Sequence, residues 1–420
     1  MKKYLSKFST LIFSATSRDS AASLAGNFGI AVGGMLFTII VARSLSPDSF
    51  GLFSGILATV ALLTSLGDLG ISSALVNFVP KTSAPKLLIS TIFWFQLVVS
   101  IILGAVLFVA AFFIGSKFLP GSTLAQVSLA ALMVFLFIIE NFFVNLLRAQ
   151  GRFILASSLM VADSLFKLAL IYIFYLTGFV SIDFALLMGI ISTFIVAIWG
   201  LIIYLPLLSL YFSRPLLHQV FSFSKWVLVI NFISLVTGKI DTILLLSLKS
   251  AFAAGIFAAA NRMSFLFVLI ISSLSMVVAP RFSRFTTPTQ VKDYLKKISL
   301  LVLLVASLML VVASLASVLV GFIFGPAYLP AVPVFRYLTL ANFPFLLTIL
   351  TISPLIYYFN DPKFVAGITV IQVVTLVVLD ILLIPRLGPL GPAVALGVSQ
   401  ILTLSLTFVR LRYHLIHAQA

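Results

Sequence analysis

The chain has 420 residues, of which 62% are hydrophobic and 9% charged, and its mean hydropathy is +1.26. That balance excludes a water-soluble globular domain of this length. It holds no cysteine, which excludes disulfides and thiolate metal sites, and its formal net charge of +16 must be explained by where the cations stand.

A helix needs about 20 apolar residues to cross the hydrocarbon core. Twelve such segments follow one another, at about 20–43, 50–72, 87–114, 122–147, 153–176, 182–206, 222–247, 252–279, 297–323, 331–357, 364–384 and 390–412. The ten-residue alternating pattern of barrel strands is absent, so the crossings are helices and the fold class is an all-α integral membrane protein. Ahead of the first crossing, Leu5, Phe8 and Ile12 fall on one helical face opposite Lys2, Lys3 and Lys7. That pattern predicts a short interfacial helix in a leading segment, 1–19. Arg18 and Asp19 interrupt its apolar run, which argues against a cleaved signal.

With the N-terminus on the cytoplasmic side, the short loops assign seventeen Lys and Arg to that side and only Arg43, Lys117, Lys249 and Arg386 to the other. The bias places both termini in the cytoplasm of a cell-membrane protein. The excess positive charge then sets topology and meets anionic headgroups, and no nucleic-acid partner is expected. The three histidines, at 218, 414 and 417, lie near predicted cytoplasmic edges, and no metal or cofactor is expected.

Residues 27–53 recur without a gap at 231–257, with nine of 27 positions identical. Among them are Asn27/Asn231, Gly34/Gly238 and Gly51/Gly255. The offset of 204 is close to half the chain and spans six helices, an even number, so the copies share one orientation. This predicts two parallel six-helix bundles, 20–212 and 213–420, a repeat common in transporters. The glycines are expected at close helix contacts.

The chemistry must rest on the few charges inside the spans: Asp68, Glu140, Asp163, Lys167, Lys239, Asp241, Arg262, Arg336 and Asp380. Each costs on the order of 3 kcal/mol near the bilayer centre and needs a partner or a wet cavity. Asp68 and Glu140 lie toward the cytoplasmic ends of their helices, and Arg336 and Asp380 toward the outer ends, where snorkelling or interfacial pairing can satisfy them. Asp163 and Lys167, four apart, can neutralise each other or line a cavity wall. Lys239, Asp241 and Arg262 share one depth and align with the apolar Met35, Phe37 and Ala58 of the first copy. Asp241 can pair with Arg262, while Lys239, two residues away and about 200° around the helix, cannot share that face. Asn141, Asn145 and Arg148 form a polar stripe at i, i+4, i+7, suited to sugar hydroxyls or to neighbouring helices.

Several runs resemble a known family: Ala42-Arg-Ser-Leu-Ser-Pro-Asp-Ser-Phe-Gly51, Gly67-Asp-Leu-Gly-Ile71 and Lys239-Ile-Asp-Thr-Ile243 with Ala254-Gly-Ile-Phe257. Phe324-Gly-Pro-Ala-Tyr328 and Ile384-Pro-Arg-Leu-Gly-Pro-Leu-Gly-Pro-Ala393 complete the series. In order and spacing they resemble the Wzx-type polysaccharide flippases, relatives of drug/sodium antiporters and of the peptidoglycan lipid flippase. The resemblance implies two six-helix bundles around a central cavity and outward movement of a lipid-linked oligosaccharide by alternating access. On that reading Lys239, Arg262, Lys167, Arg148, Asn141 and Asn145 are the substrate-binding candidates, the cations facing a polyprenyl diphosphate. Asp241, Asp163 and Glu140 are the candidates for charge pairing or for coupling to H+ or Na+. The expected partners are the lipid-linked oligosaccharide and membrane lipids. The chain would work as a monomer, beside a glycan polymerase or glycosyltransferases. No P-loop pattern points to ATP hydrolysis. A multidrug antiporter is the alternative within this architecture. A membrane polymerase or ligase, which would need a large external loop with acid/base residues, is the alternative outside it.

Overall fold

The computed structural model describes residues 15–417; the interfacial helix expected around Leu5, Phe8 and Ile12 lies outside the described residues. No strand occurs among the described residues. The helices are α1 (Ala15–Ser44), α2 (Pro47–Asp68), α3 (Ile71–Phe78), α4 (Pro85–Phe118), α5 (Leu124–Ala149), α6 (Phe153–Thr177) and α7 (Ile182–Tyr204). They are followed by α8 (Arg214–Leu248), α9 (Ala251–Phe282), α10 (Pro288–Ser314), α11 (Ala316–Phe324), α12 (Ala331–Tyr357), α13 (Pro362–Leu387) and α14 (Gly391–His417). Among the described residues, ten helical stretches are long and apolar enough to cross a membrane, and the last of them, Pro362–Ile416, contains both α13 and α14. With the 35-residue α8 the chain accommodates twelve crossings.

Two elements depart from the expected segments for local reasons. The ninth helix begins at Pro288, ahead of the apolar segment that starts near 297, because Thr287 and Gln290 form a reciprocal capping box with proline in the first turn. Lys292, Lys296 and Lys297 therefore stand on a helix. That helix breaks at Leu315 before α11 resumes. The second crossing breaks at Leu69 and Gly70, both left-handed (φ 49° and 74°), and continues as α3. Asp68 closes the break by accepting from the Ser72 amide (3.2 Å) and the Ser72 hydroxyl. A side chain at Gly70 would meet both the left-handed backbone and the Ser224 carbonyl.

The described chain packs as two compact units. One holds Ile56–Lys239 with the described part of the segment ending at Leu45; the other holds Ser46–Gly55 with Ile240 onward. In the first unit α5 is central and packs on α3, α4 and α7, while α1 packs on α6. In the second α12 is central and packs on α9, α10 and α14. The fourth helix of each six is therefore central and packs on the second, third and sixth, so that part of the repeat read in the sequence is a repeat of packing.

Hydrophobic transfer does not drive helices together in lipid, so close fit must. In the first unit Phe93, Phe142, Phe143 and Tyr204 form one buried aromatic cluster, with Phe143 and Tyr204 stacked at 6.0 Å. α1 meets α6 through Gly26, Gly29 and Gly33, set against Ser157, Val161 and Ser164. In the second unit Phe50 packs edge-on to Tyr328 at 5.9 Å, and Phe267 stacks on Phe335.

Candidate functional site

Each unit holds a cluster of embedded charges, both among apolar helices. In the first unit α6 carries Asp163 and Lys167 on one face, and they form an ion pair of 2.6 Å. Asp163 is also gripped by α7: the Ser192 hydroxyl donates to its carboxylate and, at 3.0 Å, to its backbone carbonyl. Glu140 of α5 stands beside the Thr193 hydroxyl and within electrostatic reach of Asp163 and Lys167. Lys167 lies 5.3 Å from the Phe137 ring centre. Two carboxyls and one ammonium therefore share a half-buried site on three helices. With every group ionised it carries one surplus negative charge, a composition suited to holding a proton or a small cation.

The polar stripe on α5 is used locally. The Asn145 amide donates to Ser72 Oγ (2.9 Å) and to the Asn141 carbonyl (2.8 Å), and Arg148 donates to Asn145 Oδ1 (3.3 Å). The second unit repeats the device between the corresponding helices: Asn342 donates to Ser264 Oγ (2.9 Å) and to the Leu338 carbonyl (2.8 Å). Asn145 thus ties the central helix to its neighbour as Asn342 does. Arg148 remains half-buried, with a further contact to Met160 Sδ at 3.2 Å, beside a cavity of 750 Å³. Asn27 and Asn231 are both exposed.

In the second unit the arrangement differs from the expected Asp241–Arg262 pair. No carboxylate stands within ion-pair distance of Arg262 among the described residues, and its Nε is buried without a hydrogen-bond partner. Asp241 instead stands beside Asp380 of α13, close enough for the two carboxyls to interact. Asp380 is 0% exposed and Asp241 8%. If both were ionised, both oxygens of Asp380 and Oδ1 of Asp241 would be buried without a donor. A carboxyl donates only when protonated, so a proton shared by the two would satisfy the contact. An interfacial, snorkelling Asp380 was the expectation. Its helix turns the residue inward instead, and a partner 139 positions away in the chain gave no local signal.

The remaining embedded groups are explained by their helices. Arg336 is exposed and donates from Nε to the Ala313 carbonyl (3.2 Å) at the end of α10, where a cation suits the helix terminus. Asp68 closes the break ahead of α3. Lys239 is exposed on α8, two residues before Asp241.

A family model of polysaccharide biosynthesis proteins matches residues 17–286. The chain belongs to that family. No curated protein matches it. Among solved structures, this chain is similar to the lipid II flippase MurJ in an inward closed conformation, at 16% identity over 93% of this chain and 87% of the other, with a TM-score of 0.71. It is also similar to an inward-facing multidrug resistance MATE family transporter of the MOP superfamily, at 16% identity, 93% and 95% coverage and a TM-score of 0.66. A third is a MOP superfamily transporter from Pyrococcus furiosus, at 16% identity, 96% coverage of both chains and a TM-score of 0.56. At such identity the likeness is one of fold, and this family member has the fold of the MOP superfamily transporters.

Proposed function

We propose that the chain is a flippase that carries a lipid-linked oligosaccharide from the cytoplasmic to the outer leaflet by alternating access, for export of a cell-surface polysaccharide. The moving bodies are 20–212 and 213–420, behind the leading segment 1–19. The family and the transporter fold support movement across a membrane. The observation that carries the choice of an anionic cargo is Arg262: a guanidinium inside an apolar crossing, its Nε buried and unmatched. Such a group is stable where an anionic ligand completes it, and a diphosphate beside the first sugar is that ligand. Lys239, Lys167 and Arg148 are the further cations for the phosphates, with Asn141 and Asn145 for sugar hydroxyls. A proton or Na+ exchanging at Asp241, with Asp380, would drive the cycle. Asp163 and Glu140 offer a second coupling site in the first unit.

The test is transport in proteoliposomes with a fluorescent polyprenyl-diphosphate glycan. Replacing Arg262 with Ala is expected to cut glycan export about tenfold or more, the worth of one desolvated charge-assisted contact. Efflux of cationic drugs at full rate, with no glycan moved, would instead identify the chain as a multidrug antiporter.

A further inference from the structure

The linker between α7 and α8 forms a second site, apart from the embedded charges. Residues after the 3-10 turn Leu205–Leu207 run back across the start of α4 and are fastened there. The Ser209 amide donates to Ser90 Oγ (2.8 Å), Trp94 Nε1 donates to the Ser209 carbonyl (2.8 Å), and the Ser213 amide donates to Thr91 Oγ1 (3.1 Å). Ser90 and Thr91 are completely buried, so the fastening is part of the fold. Between the fixed points 209 and 213 the chain pushes three large apolar side chains outward. Leu210 is 88% exposed, Tyr211 77% and Phe212 47%.

Beside this ridge lies a cavity of 640 Å³ lined by Lys86, Leu87, Ser209 and residues 211–215. Its two cations, Lys86 and Arg214, open α4 and α8, and among the described residues neither has a carboxylate within ion-pair distance. The sequence places no Asp or Glu between Asp68 and Glu140 or between Asp183 and Asp241, so nothing local neutralises them. An apolar, aromatic-tipped ridge next to two bare cations, at the ends of crossing helices, is the composition that meets a charged lipid surface.

We propose that this cavity binds the phosphate headgroup of an anionic glycerophospholipid of the adjacent leaflet. Lys86 and Arg214 take the phosphate, Ser209 and Ser213 offer hydroxyls to the rest of the headgroup, and Leu210, Tyr211 and Phe212 enter the interface beside the acyl chains. The cytoplasmic leaflet is the one the charge bias assigns to this end. The bound lipid would hold the linker that joins the two sets of six helices, and its site is separate from that of the cargo.

The experiment is native mass spectrometry of the full chain in detergent with phosphatidylglycerol, phosphatidylcholine, polyprenyl phosphate or inorganic phosphate. The intact chain should retain phosphatidylglycerol over phosphatidylcholine by about tenfold or more, as two interfacial cations allow. The K86Q/R214Q variant should abolish the preference. Replacing Tyr211 and Phe212 with Ser should weaken retention of both lipids without changing their ratio. K292Q/K296Q, which removes two cations from α10, should leave retention unchanged. Thermal unfolding of each variant establishes that it is folded, and if K86Q/R214Q fails to fold the single variants K86Q and R214Q should each show a partial loss. The proposal is overturned if phosphatidylglycerol and phosphatidylcholine are retained equally, or if K292Q/K296Q lowers the preference as far as K86Q/R214Q does. It is also overturned if only polyprenyl phosphate or only inorganic phosphate binds in a Lys86- and Arg214-dependent way.

Discussion

Gly51 of α2 and Gly255 of α9 lie backbone to backbone, each filling the space a side chain on the other would need. A Cβ on Gly51 would strike the Ala251 carbonyl, and one on Gly255 would strike the Pro47 carbonyl. Pro47 and Ala251 are themselves 204 positions apart, as are the two glycines, so the contact is reciprocal. Replacing Gly51 with Leu is expected to force the helices apart and to cost about 1–3 kcal/mol, the usual result of overpacking a close contact. Gly238 has nothing within 4 Å of its added Cβ, so Gly238→Ala should leave thermal stability unchanged or slightly raised. Unfolding temperatures of the two variants in one detergent decide the matter.

The Asp241–Asp380 pair makes a prediction about energy coupling. Asp380→Asn keeps the shape and a hydrogen-bond donor but removes the exchangeable proton. The folded yield should persist, while acceleration of transport by an imposed proton or sodium gradient falls by about tenfold or more, the upper range of a typical coupling energy. Asp241→Asn should do the same, and the double variant should be no worse than either single one. A gradient response that survives in both single variants would remove this pair from the coupling mechanism.

Breaking the Asp163–Lys167 pair should be costly in one direction only. The side chains are 11% and 19% exposed, so Lys167→Met leaves a buried carboxylate beside Glu140 with no cation, at a cost of about 3 kcal/mol. Asp163→Asn in the same chain should recover most of that loss. Thermal unfolding of the two single variants and the double variant measures the coupling.

At the end of α14, Arg410 Nε meets Asp361 Oδ2 at 2.8 Å and His414 Nε2 meets it at 3.3 Å, with Phe359 stacked on the His414 ring. Burial by itself raises the Asp361 carboxyl, but the hydrogen bonds from Arg410 and His414 outweigh it and hold the group below its ordinary value. A depressed carboxyl stabilises the fold above the ordinary aspartate pKa and loses that contribution as pH falls through its folded value. Asp361→Asn should therefore lower the unfolding temperature at neutral pH. The difference from the unsubstituted chain should close below about pH 4 as the carboxyl protonates.

How far the sequence could be read depended on the range of the cause. The crossings were legible because about 20 apolar residues in a row have one meaning in lipid. The repeat was legible in part because helix contact constrains two of its glycines, Gly51 and Gly255. The Lys167–Asp163 pair was legible because four residues along a helix bring two side chains to one face. Composition does not reveal where a helix starts when a capping box lies ahead of the apolar run, as at Thr287, whose helix carries three lysines before it.

The sequence by itself determined the solvent of this protein, the number of its crossings, its doubled architecture and the short roster of charges that cannot all be idle. It could not pair those charges. Asp380 read as an interfacial carboxyl and Asp241 as the partner of Arg262, because distance along the chain carries no information about which helix faces stand together. Only the tertiary structure set Asp241 of α8 beside Asp380 of α13 and left Arg262 Nε unmatched. In a bilayer, where helices associate through close fit and a few polar contacts, the choice of neighbour is a property of whole surfaces.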